Sequence, residues 1–274
     1  MWPFAGRAQY QAPPSPTAAP ADTSVGQIAT LQGSATVTRG NAATALQVAD
    51  PIYEKDILQT ALNSTLGVTF DDETTFSLSG NTRIVVDAFV YQQGGSGNAA
   101  TFNVATGTAA FVASFVAKTG DMRIATPEAT LGIRGTTGVV EVPQGGGTAA
   151  PTIKLYPDAD GHVGQIEVFD RQGGRLGTLT QGASAFALRA GAGGRVSAER
   201  YQIPPQEAAR DRGMLQRLNA AHAIGRRMVI QRRQLRGPNR QHPNNPRPGG
   251  QPFNRGGRGQ QRQRGQGNDN GQRR

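Results

Sequence analysis

From Val25 to about Ala190 the sequence is a succession of short extended runs separated by Gly, Asn and Asp, and no amphipathic stretch of helical length interrupts them. Strands at this spacing cannot form βαβ units. They have to pair with one another, so the class is all-β. Val25-Gly-Gln-Ile-Ala-Thr-Leu31 and Ala35-Thr-Val-Thr-Arg39 alternate apolar with small or polar residues. Leu66-Gly-Val-Thr-Phe70 and Thr74-Thr-Phe-Ser-Leu78 flank Asp71, Asp72 and Glu73, a hairpin signal whose acidic turn is expected to face solvent.

Further strands are expected at Arg83 to Tyr91, Phe102 to Val104, Ala109 to Ala117, Met122 to Ile124 and Thr137 to Val142. After a loop from Pro143 to Pro151 they resume at Thr152 to Tyr156, Gln165 to Phe169, Gly177 to Thr180 and Ser184 to Leu188. The expected architecture is a twisted β-sandwich or a solenoid-like β-roll, since periodicity alone does not reveal strand pairing.

The pattern changes at Pro204-Pro205, where Gln206-Glu207 opens a helix expected to run to Gln234. Met214, Leu218, Ala221, Gly225 and Met228 recur at helical spacing, and arginines enrich the C-terminal end, which the helix dipole favours. Gly213 and Gly225 each weaken it by about 1 kcal/mol relative to Ala. Beyond it Gly, Pro, Asn, Gln and Arg dominate, a composition too poor in apolar surface to offset chain entropy, so a disordered tail is expected.

Charge divides the same way. The chain carries +10, but residues 226–274 hold 13 Arg against one acid, a net +12, which leaves −2 for the rest. The basicity is a property of the C-terminal region. Arg232, Arg233, Arg236, Arg255, Arg258, Arg262 and Arg264 are expected to bind polyanions there, with Phe253 the only ring available for base stacking. Alternatively the helix's Arg end sits on an anionic membrane face, or its apolar face packs on the β body.

No residue set points to catalysis. Without cysteine there is no thiol nucleophile and no thiolate metal site. His162, His222 and His242 lack ligand spacing, and no Gly-x-Ser-x-Gly elbow occurs. Asp158-Ala-Asp160-Gly161 lacks the distal Glu of a calcium loop and is expected to be a turn. No catalytic, cofactor-binding or metal-binding residues are assigned.

The run Asp71 to Tyr91, followed by a Gly-rich loop and by Ile124-Ala-Thr-Pro-Glu-Ala-Thr-Leu-Gly-Ile-Arg-Gly-Thr136, resembles the FecR-domain family of bacterial envelope proteins. The family pattern has an acidic turn like D-G-T-x-L-x-L, a strand S-x-L-x-L-D-x-F-V-Y and a closing V-x-T-P-x-A-x-x-G-I-R-G-T. Glu73 stands where the family has Gly, so a different turn type is expected. The resemblance assigns Asp87, Phe89, Tyr91, Thr126, Pro127, Gly132, Ile133, Arg134, Gly135 and Thr136 to the motif. Arg134 is expected to lock a strand corner by bonding backbone carbonyls or a carboxylate such as Asp87, or else to bind a ligand.

The resulting organisation is a Pro/Ala-rich arm at 1–24, a FecR-like β domain at 25–142, a β-rich continuation at 143–200, a basic amphipathic helix at 204–234 and the tail at 235–274. The resemblance implies a non-catalytic, periplasmic or envelope-associated module for interaction or sensing, with a protein or glycan partner. The alternative is a cytoplasmic RNA-binding protein acting through the tail. The first residues carry no apolar signal-peptide core, and the Ala/Pro-rich arm is read as a linker leaving a missing segment.

Overall fold

The computed structural model describes residues 23–119, 121–145, 149–191 and 195–236. In chain order the strands are β1 (Gly26–Gln32), β2 (Ala35–Arg39), β3 (Ala42–Ala45), β4 (Pro51–Ile52), β5 (Ile57–Thr60), β6 (Thr65–Phe70), β7 (Thr75–Leu78), β8 (Arg83–Val90) and β9 (Ala99–Val112). Helix α1 (Phe115–Thr119) follows. Then come β10 (Asp121–Ala125), β11 (Ala129–Arg134), β12 (Thr137–Val142), β13 (Thr152–Tyr156), β14 (Gln165–Asp170), β15 (Arg175–Leu179), β16 (Ser184–Ala190), β17 (Val196–Gln202) and helix α2 (Pro205–Arg236).

The strands form two open layers. The first runs β4-β1-β6-β7-β9-β12-β13-β16-β17. The second runs β3-β2-β5-β8-β9-β10-β11-β14-β15. Strand β9 belongs to both. Its first part pairs β8 and β10, and from Gly107 it pairs β12 and then β7. Gly107 makes the crossing possible. It holds φ 89°, and a Cβ there would lie 2.5 Å from the Thr82 Cα. Every pairing is antiparallel except β9 with β10, where α1 provides the crossover.

Pairing thus selects a two-layer sandwich over a roll. Phe102 of the second layer meets Phe70 and Phe76 of the first at ring-centroid distances of 4.8 and 4.7 Å, and Phe89 stacks on Phe70 at 5.4 Å. Each of these rings is buried, worth roughly 1.5–3 kcal/mol apiece over exposure.

Several sequence expectations change. The segments at Phe102 to Val104 and Ala109 to Ala117 are one 14-residue strand ending before Ser114, and Phe115–Thr119 is helical. Strands β3, β4, β5 and β17 have too little alternation or apolar character to stand out locally, and they are extended because β1, β2, β8 and β16 pair with them. Helix α2 ends two residues past Gln234 and packs across the outer side of β1, β6, β7 and β9 as a third stratum. The expected tail from Gly237 lies outside the described residues, as does most of the N-terminal arm.

Candidate functional site

Helix α2 covers one outer face of the sandwich, and its seating shows which polar groups remain for a partner. Its first turns rest on Lys154, which is 1% exposed. Lys154 Nζ meets Glu141 Oε1 at 2.8 Å, Glu207 Oε1 at 2.8 Å and Asp211 Oδ2 at 2.9 Å. Tyr156 donates its hydroxyl to Asp211 at 2.6 Å, and Tyr201 donates to Glu207 at 3.0 Å. Burial alone would lower the Lys154 pKa, but the three carboxylates outweigh it and hold the pKa raised. Burial beside the Glu207 carboxylate pushes the Tyr201 hydroxyl up to about 12. Midway, Ala221 and Gly225 close onto Gly67 and Thr69 of β6. Gly225, which costs the helix intrinsic stability, is what permits this approach.

The C-terminal turns of α2 rest on the acidic turn between β6 and β7. That turn does not face solvent, because α1 and α2 both cover it. Asp72 is fully buried, accepts from Thr74 N at 2.9 Å and Thr74 Oγ1 at 2.6 Å, and takes Val116 N of α1 at 3.1 Å. Desolvation raises its pKa against those hydrogen bonds. Glu73 has φ 71°, so the turn keeps the left-handed position that a Gly would fill, rather than changing type. Its carboxylate accepts from Arg226 Nε at 2.8 Å and Arg233 Nη1 at 3.1 Å, while Arg232 pairs with Asp71 at 3.2 Å. Arg232 and Arg233, grouped by sequence with a polyanion-binding tail, are therefore packing residues of the body. Arg236 ends the helix, and Arg255, Arg258, Arg262 and Arg264 lie outside the described residues.

The motif residues divide between core and surface. Asp87 offers its backbone carbonyl to Lys55. Phe89 belongs to the aromatic core, and Tyr91 stacks on Phe115 at 6.4 Å under the Arg233 guanidinium. Burial raises the Tyr91 hydroxyl pKa. Thr126 and Pro127 form the β10–β11 turn, where Thr126 Oγ1 accepts from Ala129 N at 3.0 Å. Ile133 points into the core. Gly135, at φ 47°, turns the chain from β11 in the second layer to β12 in the first, and the carbonyl of the buried Thr136 accepts from Ala113 N at 3.0 Å. The strand corner is there. Arg134 does not lock it against Asp87, because β9 and β10 stand between their strands, three interstrand steps of about 4.8 Å each.

Arg134 instead lines a groove of about 450 Å³ on the outer face of the second layer, with Asp121, Arg123, Gly132, Glu167, Phe169 and Arg171 among its walls. Register builds it. Arg123 of β10 lies opposite Gly132 of β11, which lies opposite Glu167 of β14. A residue without a side chain therefore sits between a cation and an anion. Arg123 pairs with Asp121 at 2.9 Å and Glu167 with Arg175 at 3.2 Å, so both are tethered at the rim. The turn Asp170 to Gly174 closes one end, with Asp170 Oδ1 accepting from Gly174 N at 2.6 Å. The groove combines fixed charges of both signs with one aromatic edge, an arrangement that suits recognition.

Other polar clusters are structural. Asp158 and Asp160 form a turn, in which Asp158 accepts from Thr137 Oγ1 at 2.6 Å and Asp160 from His162 N at 2.9 Å. His222 meets the buried Thr75 hydroxyl at 3.1 Å beneath α2. Burial and the adjacent Arg226 lower its pKa. Among the described residues no cluster of three His, Cys, Asp or Glu is placed to hold a metal ion, and no helix is long and apolar enough to cross a membrane.

No curated protein matches this chain. Two crystal structures of a "putative anti-sigma factor" from Parabacteroides distasonis are similar at 12% identity and TM-score 0.40, over 56% and 57% of this chain and 62% and 63% of theirs, so the chain covers less than two thirds of their length. The model of the FecR protein family matches residues 56–153, from the residue before β5 into β13, the central part of the two-layer body.

Proposed function

We propose that this chain is a non-catalytic interaction or sensing module of the bacterial envelope, and that it engages a protein partner through the groove on β10, β11 and β14. The family supports the setting and the regulatory class, since FecR proteins are envelope-associated. The observation that carries the site is the outward row Arg123–Gly132–Glu167. Charges of both signs suit a protein segment better than an acidic glycan, which Asp121, Glu167 and Asp170 would repel. The Arg-rich region beyond Arg236 adds electrostatic affinity for envelope polyanions.

The test is a photoreactive residue at Thr130 in the groove, with Gln216 on α2 as the control position. Partner adducts should form at Thr130 and disappear when Arg123→Glu and Arg171→Glu are added. Adducts that survive the charge reversal, or that form only at Gln216, would place recognition elsewhere.

A further inference from the structure

The seating of α2 sorts its charges by sign. Glu207 and Asp211 are the only acids of the 32-residue helix, and both turn inward onto Lys154. Arg226, Arg232 and Arg233 are engaged by the acidic turn. Among the helix residues whose burial is described, the remaining arginines, Arg210, Arg212, Arg217 and Arg227, are all exposed, and no carboxylate of the helix stands among them. The exposed charge of α2 among these residues is therefore cationic, although the helix as a whole mixes both signs.

Exposed apolar side chains lie in line with two of these arginines: Ile224 is 42% exposed and Leu235 is 81% exposed. Separated by 7, 14 and 25 positions along an α-helix, Arg210, Arg217, Ile224 and Leu235 fall within about 40° of one another around the axis. They form one stripe, basic in its first half and apolar in its second, about 38 Å long at the usual rise per residue. Arg227 flanks it. The stripe runs along the flank of α2, beside the buried row of Met214, Leu218, Ala221 and Gly225, and its four residues are exposed, so it is available without any opening of the fold.

We infer that this stripe of α2 docks the protein on an anionic lipid surface. Charge complementarity supplies the attraction, and the apolar half supplies what a hydrated polyanion would not use, namely side chains able to enter the boundary between headgroups and acyl chains. Binding of such a helix strengthens with both the apolar area buried and the attraction to anionic lipid, so the two halves of the stripe act together.

The experiment measures binding of the full chain to vesicles of phosphatidylglycerol and phosphatidylethanolamine, to neutral phosphatidylcholine vesicles, and to heparin as a lipid-free polyanion. Two surface variants are compared with the parent, and thermal unfolding checks that each stays folded. Arg210→Glu/Arg217→Glu/Arg227→Glu should weaken binding to the anionic vesicles about tenfold or more. Ile224→Ser/Leu235→Ser should weaken vesicle binding while leaving heparin binding unchanged, and neutral vesicles should bind none of the proteins. The inference fails if the charge reversal leaves vesicle affinity intact, which would assign binding to the residues beyond the helix. It fails equally if the Ser variant binds vesicles as well as the parent does, which would make the stripe a general polyanion surface.

Discussion

Glu73 occupies the left-handed backbone region at φ 71°, and its carboxylate is held by the Nε of Arg226 at 2.8 Å. The turn demands the conformation, and the helix rewards a side chain that costs about 1–2 kcal/mol to place there. Glu73→Ala keeps the strain and loses both arginine contacts, whereas Glu73→Gly loses the contacts and relieves the strain. Chemical denaturation should therefore rank the three as Glu, then Gly, then Ala, with Gly about 1 kcal/mol above Ala. An Ala variant equal to or more stable than Gly would contradict this reading of the turn.

Lys154 is the buried cation on which the first half of α2 depends. Lys154→Met should cost about 3–5 kcal/mol, because Glu207 and Asp211 would be left as uncompensated buried charges. Adding Glu207→Gln and Asp211→Asn should recover a large part of that loss. Since the folded-state pKa of Lys154 is raised, its contribution is intact at neutral pH and decays only above about pH 10.4, the ordinary value for Lys. Urea melts of the single and triple variants at neutral pH check the energies, and melts of the parent and Lys154→Met from neutral pH to above about pH 10.4 check the pH dependence.

Gly225 and Gly213 sit in the same helix and should respond oppositely to alanine. A Cβ at Gly225 would lie 1.8 Å from Thr69 Oγ1 and 2.4 Å from Thr69 Cβ, whereas at Gly213 the nearest group is the end of Arg217 at 3.8 Å. Gly213→Ala should stabilise by about 0.5–1 kcal/mol through helix propensity. Gly225→Ala should destabilise by about 1–3 kcal/mol, because the helix must lift off β6.

His222 ties stability to mild acid. Burial, with Arg226 beside it, lowers its folded-state pKa, so the unfolded chain binds the proton more tightly. Its contribution is fully present above about pH 6.5 and is lost as the pH falls toward the folded-state value. Comparing Tm at pH 7.5 and pH 5 for the parent and His222→Gln should show a smaller acid-induced drop in the variant. An equal drop in both would assign the acid response to other groups.

Much of the sandwich was legible because its strands alternate and its turns carry Gly, Asn and Asp. The covered face was not. Gly67 and Thr69 look like the solvent side of β6, and Lys154 like the solvent side of β13, because alternation marks which way a side chain points and not what lies over it. Asp71 and Glu73 resemble a wet turn until their arginine partners, more than 150 residues downstream, are brought in by the fold. The signal that was present is the pairing of small residues, Gly67 and Thr69 with Ala221 and Gly225, which marks a close helix–sheet approach. For the groove, sequence identified Gly132 and Arg134 within the closing motif, but Arg123 and Glu167 join them only through strand register.

The most direct measurement is hydrogen–deuterium exchange on the full chain. If α2 is the third stratum of the sandwich, its amides from Leu215 to Val229 should be protected to the same degree as those of β6 and β13, and Lys154→Met should deprotect the helix before either strand. Rapid exchange throughout α2 in the parent, over strands that remain protected, would show that the helix is not part of the body and that the face beneath it is open.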